Sequence, residues 1–187
     1  MSKNGIWLAI LLVAGAWNPF LREVPEIKSA NEKLKAKDYP TAEEAYKKAL
    51  ETRASNAKLR HNLGLAFLAQ NNYAAAESEF VATTASDSAI VRSRGNFFLG
   101  IVRFHLAETL QEPEQKIAKY KESADNFRRV LETDPDDEDA RWNLEMALER
   151  IEDVEREKEE KQKQQEEQEK QQQQEQQNQN QEQQQQQ

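Results

Sequence analysis

A 34-residue echo inside the chain limits its fold more than any other feature. Tyr39, Ala42 and Tyr46 recur as Tyr73, Ala76 and Phe80, each pair 34 positions apart. A repeat of this period reads as one helical hairpin that must stack on its neighbours to bury its apolar face. In the second unit Leu63, Ala66 and Phe67 share one helical face, and Gly64 has no side chain to hold a partner helix away. Asn71 stands where the first helix must stop, and Asn tolerates the left-handed conformation needed there. Asn72 is placed to cap the helix that follows. Ala76 is the small residue at the crossing, and Phe80 fills the gap toward the next repeat. The first unit is less regular: Lys37 stands at the turn where Gly or Asn would suit better, and Ala30 takes the place of the Gly.

A third unit is stretched. Asn96, Phe97, Phe98, Leu99 and Gly100 echo His61, Asn62, Leu63 and Gly64 at a spacing of 36. Its second helix carries Tyr120, Phe127, Val130 and Leu131 and ends at Asp134-Pro135. Between the two lies an insertion of roughly three helical turns, around Glu108 to Gln115. The expected path is a helix to about Ala107, a loop, and a new helix started by Pro113. Asp136 to Asp139 then place negative charge at another helix start, followed by an apolar stripe of Leu144, Leu148 and Ile151. No partner helix follows, which makes this a capping helix.

Leu63-Gly64, Phe67, Tyr73, Ala76 and Phe80 fall at the intervals of the tetratricopeptide repeat (TPR), and the chain resembles that family most closely there. The expected fold is all-α: a TPR helical-hairpin solenoid over residues 23–154, about three repeats plus the capping helix. From Glu155 the chain becomes a charged helical extension, and after Lys170 it is almost pure Gln with Glu and Asn. That tract has no apolar surface to bury and is expected to be disordered, so residues 155–187 form an extension and a Gln-rich tail.

The N-terminus points to export. Lys3 precedes an apolar run from Gly5 to Trp17, and Ala14, Gly15 and Ala16 offer the small-x-small pattern of a cleavage site. Trp17, Phe20, Leu21 and Arg22 could instead fix residues 5–21 as a membrane anchor. Residues 1–22 are therefore read as signal peptide or anchor, with the remainder of the chain in the periplasm. The net charge of −8 argues against a broad nucleic-acid surface, which needs clustered Lys and Arg. With no cysteine there is no disulfide, thiolate metal site or thiol nucleophile.

No catalytic, cofactor-binding or metal-binding motif is present: no P-loop, dinucleotide fingerprint, HExxH or zinc pattern. The two histidines, His61 and His105, fall on first helices of different repeats, where a lone His reads as a surface or groove residue, and His105 pairs with Glu108 at i,i+3. The chain is thus read as a non-enzyme. In TPRs that clamp a C-terminal carboxylate, certain Lys, Asn and Arg positions recur on the first helices. Asn31, Asn62 and Arg94 match three of these, while Ile27 and Phe98 occupy the other two. A more apolar partner-binding groove, built from Leu65, Leu68, Phe97, Ile101 and Phe104 beside those polar residues, fits the sequence better. The alternative places some of them in the core of the stretched third repeat.

The order of parts resembles the TPR protein of bacterial Bat aerotolerance operons. The resemblance rests on Ala30-Asn31 with Asp38-Tyr39, on His61 to Gly64, on Asn96 to Gly100, and on the closing segment from Asp134 to Glu145. It implies a periplasmic scaffold for membrane-anchored proteins with von Willebrand factor A domains, working with a MoxR-type ATPase. A membrane-tethered factor that self-associates through its Gln-rich tail is the alternative.

Overall fold

The structure, a computed structural model, describes residues 25–185, with side chains described over 27–173. The expected signal peptide or anchor lies outside the described residues. Seven helices follow in order: α1 (Pro25–Lys35), α2 (Tyr39–Glu51), α3 (Ala57–Ala69), α4 (Tyr73–Thr84), α5 (Ala89–Thr109), α6 (Pro113–Thr133) and α7 (Glu138–Gln185). Each packs on the next, and the first helices also touch in the series α1, α3, α5, α7. Three hairpins and a capping helix therefore stack as one series of layers, a TPR-like helical solenoid.

Local chemistry sets the hairpins. Lys37 and Asn71 both hold positive φ, 62° and 58°, at the same point of the first and second turns. Asn adopts this region readily; Lys does so against the clash of its Cβ with the backbone. Immediately after, Asp38 accepts from the Thr41 amide and Asn72 from the Ala75 amide, so both second helices begin with the same cap. Turn and cap repeat together, which fixes the angle at which each hairpin closes.

The close approach of helices depends on missing side chains. A Cβ built on Gly64 would lie 2.8 Å from the Phe80 ring, and one on Gly100 would lie 2.7 Å from the Phe127 ring. Both rings are fully buried. Ala30, also fully buried, takes this place in the first repeat, beside Tyr46 in the same core cluster. Gly95 makes a third such approach, to Thr83, between the second and third hairpins. Ser123 adds a buried hydrogen bond from its hydroxyl to the Gly100 carbonyl at 2.7 Å.

The insertion in the third repeat leaves only a short loop, residues 110–112. It lengthens both helices to 21 residues, against 13 and 12 for α3 and α4. The first helix runs to Thr109, slightly past the expected Ala107, and the next starts at Pro113 as expected. The overhanging turns build a second core of Phe104, Ala107, Tyr120 and Ala124 with Ala147 and Ile151 of α7. Arg150 reaches Glu108 across this junction at 3.6 Å, and Lys158 reaches Glu114 at 2.7 Å.

α7 continues past Lys170 to Gln185 as one 48-residue helix, about 70 Å long. Glu, Lys and Gln are good helix formers, and no Gly or Pro interrupts them. Residues 159–173 are all exposed. Among the described residues, no helix is long and apolar enough to cross a membrane.

The Gly64 contact leads to a direct expectation. Gly64→Leu should drive side-chain atoms into the Phe80 ring and cost about 1–3 kcal/mol. Chemical denaturation checks this, and an unchanged midpoint would place Phe80 elsewhere.

Candidate functional site

The middle first helix, α3, is covered on every side: each residue from His61 to Leu68 is buried. This decides the fate of several expected groove residues. Leu65, Leu68 and Ile101 belong to the main core with Phe67, Phe80 and Phe98. Phe104 is only 3% exposed and lies in the second core, where its ring meets Tyr120 edge-on at 5.1 Å. It is core of the stretched repeat, the alternative that the sequence left open. Phe97 is half-buried, against Phe98 and Phe127. Arg94, one turn earlier on α5, is also half-buried.

Asn31 and Asn62 are brought together. Asn62 Nδ2 donates to Asn31 Oδ1 at 3.2 Å, tying α3 to α1. The Tyr46 hydroxyl donates to the same oxygen at 2.5 Å, adding α2. Burial pushes the Tyr46 phenol well above its ordinary pKa, so it remains a donor. The Asn31 Nδ2 is buried with no hydrogen-bond partner, an uncommon cost in a native core. The clamp-like position Phe98 is buried, and Ile27 is half-buried.

One of the two histidines departs from expectation. His61 is not a surface or groove residue. It is wedged between the Phe80 and Phe98 rings, at centroid distances of 5.6 and 5.3 Å. Burial, with a smaller contribution from the Arg94 charge, pushes its pKa down to about 3. The imidazole is therefore neutral, and its Nδ1 lacks a partner. His105 stacks on Tyr73 at 4.8 Å, while Glu108 accepts from the Tyr120 hydroxyl at 3.1 Å. Burial lowers the His105 pKa, partly offset by the Glu108 charge.

Sequence reasoning missed the ion network that joins the second and third repeats. Arg103 on α5 bonds Glu77 on α4 at 3.0 Å and Asn126 on α6 at 2.8 Å. Lys119 lies 3.4 Å from the same Glu77 and 2.8 Å from Glu122. Arg60 on α3 meets Glu79 on α4 at 2.9 Å. Apart from Lys119 and Glu122, the partners stand at least 19 residues apart in sequence, with no periodic mark. Among the described residues, no group of three or more His, Cys, Asp or Glu could hold a metal ion.

This geometry fits what the comparisons find. Residues 27–89 match the tetratricopeptide repeat family, a span that runs from within α1 through α4 to the first residue of α5. Among solved structures, the chain is similar to the first TPR of Spaghetti (RPAP3) bound to the HSP90 peptide SRMEEVD. The identity is 22%, the TM-score is 0.56, and the match covers 66% of this chain and 88% of that one. No curated protein matches significantly. The chain is thus an all-α protein with a TPR-like solenoid. The likeness to that peptide-bound domain is one of fold.

The buried histidine carries a pH signature. In the unfolded chain His61 should titrate near 6.5; folded, it stays neutral down to about 3. Between these values the unfolded chain binds a proton that the folded chain does not, so stability falls as pH drops through this window. His61→Leu should therefore show a shallower loss of stability than the parent between about pH 7 and about pH 4.5. Denaturant titrations at several pH values measure it, and superimposable profiles would contradict a buried neutral His61.

Proposed function

We infer that the solenoid is a non-enzymatic scaffold that holds a segment of another protein along its first helices. One observation carries this reading. Arg94 is a half-buried guanidinium with no carboxylate partner among the described residues, in a stack that also contains the orphaned amide of Asn31. A partner's carboxylate or backbone carbonyl supplies the acceptor that Arg94 lacks. The peptide held by the similar TPR structure supports a segment as the ligand class. Phe97 beside Arg94 adds aromatic area, a pairing common at interaction hot spots. The inferred contact is smaller than the groove expected from sequence, because Leu65, Leu68, Ile101 and Phe104 serve the core.

The compartment and partner follow from sequence features. Lys3 and the apolar run after it support a periplasmic site, secreted or tethered through residues 5–21. The Bat-type order of parts supports membrane proteins with von Willebrand factor A domains as partners, with a MoxR-type ATPase in the same system. Self-assembly through the Gln-rich tail is the second reading, favoured by the long exposed run of α7.

Arg94→Glu and Phe97→Ala should each abolish recovery of the partner after crosslinking in membranes; melting should stay nearly unchanged for Arg94→Glu, while Phe97→Ala also loses its contacts with Phe98 and Phe127 and should melt lower. Phe104→Ala should instead cost about 3–5 kcal/mol of stability. Recovery untouched by Arg94→Glu and Phe97→Ala would overturn the assignment of the binding face.

A further inference from the structure

Within each inner repeat, the residue three before the small-residue position meets the aromatic ring of the repeat's own second helix. His61 precedes Gly64 and meets Phe80; Phe97 precedes Gly100 and meets Phe127 at 5.8 Å. On α7 the same register gives Trp142 and Glu145, because Asn143-Leu144 aligns with Asn62-Leu63. Among the described residues, no second helix covers them. Trp142 is 51% exposed, where His61 is 6% exposed.

Helical spacing separates two faces of α7. Ala140, Asn143, Ala147 and Ile151 are buried, on the side turned to the solenoid. Glu138, Trp142, Glu145 and Glu149 recur at intervals of four, three and four, so they form a different stripe, and all four are exposed. Met146, half-buried, flanks it. The local cations are engaged. Arg141 donates to the Pro135 carbonyl, Arg150 lies between Glu108 and Asp153, and Arg156 pairs with Asp153. Glu138, Glu145, Glu149 and Glu152 form no ion pair among the described residues.

We propose that this outer face of α7 is a second docking surface, separate from the first-helix stack, and that its occupant is a basic amphipathic helix from another protein. The occupant's apolar side covers Trp142 and Met146, and its Lys or Arg side chains meet Glu138, Glu145 and Glu149. Charge selects this occupant. A second copy of the chain would bring the same unpaired carboxylates against each other on a molecule of net charge −8. Glu145 also distinguishes the contact from an ordinary fourth repeat. A large carboxylate stands where Gly64 and Gly100 admit a ring, so the helix that docks here sits further out and answers a charge.

The test titrates the full chain into a fluorescein-labelled Lys/Leu peptide with Leu at helical spacing, read by fluorescence anisotropy. A peptide with Glu in place of Lys is the counter-probe. The Lys/Leu peptide should bind and the Glu/Leu peptide should not. Trp142→Ala and the double variant Glu145→Lys/Glu149→Lys should each weaken binding at least tenfold, with melting unchanged because these side chains are exposed. Glu44→Lys/Glu51→Lys, an equal charge change on exposed positions of α2, should leave affinity within twofold. Equal weakening by both double variants, with Trp142→Ala silent, would reduce the effect to bulk acidity and overturn the proposal. So would a dimer in sedimentation that Trp142→Ala dissolves, since the occupant would then be a second copy.

Discussion

Everything in this solenoid hangs on an aromatic ring from a second helix standing where the first helix has little or no side chain. Phe80 lies over Gly64 and Phe127 over Gly100, both rings fully buried. Burying a ring of this size is worth about 1.5–3 kcal/mol, and it also sets how near the two backbones come. Once that distance is fixed, the turn at Asn71 and the cap at Asn72 leave the hairpin few alternatives. Phe80 also reaches beyond its own hairpin, stacking on Phe98 at 5.5 Å. The same side chain therefore closes its repeat and joins it to the next.

Polar groups in the core refine this apolar frame. The Tyr46, Asn31 and Asn62 cluster ties three helices through one carbonyl oxygen. Arg103 with Glu77, Lys119 and Asn126 does similar work between the second and third repeats. Such partly screened pairs add little net stability individually, but they penalise slippage of one repeat against the next. The insertion gives the third repeat an overhang, and α7 covers that overhang. The capping helix is thus held by an extension that the second repeat lacks, which leaves its far face open.

Much of the fold was legible because its determinants are local. The 34-residue echo, the turn residues Lys37 and Asn71, and the caps Asp38 and Asn72 act within a few residues of one another. The small-residue contact was legible too, since Gly64 and Phe80 keep a fixed separation. The site was harder to read. On α3 both sides are covered, so Leu65 and Leu68 look like groove residues from sequence yet serve the core. His61 gave no sign that two rings would enclose it, because Phe80 and Phe98 come from different repeats. Phe104 became core because the lengthened helices bring Tyr120 onto its ring and α7 adds Ala147 and Ile151, contacts that no local pattern marks. In the tail, inability to bury apolar surface rules out a packed domain but leaves room for a solvated helix of Glu, Lys and Gln.

A double-mutant cycle on the central contact tests this account most directly. Gly100→Ala and Phe127→Leu are measured singly and together by chemical denaturation. If the Phe127 ring rests against the Gly100 backbone, the smaller Leu makes room for the added methyl. The double variant should then be less destabilised than the sum of the single ones, by about 0.5–3 kcal/mol. Additive losses would show that the ring and the glycine do not touch, and the packing on which the solenoid depends would be contradicted.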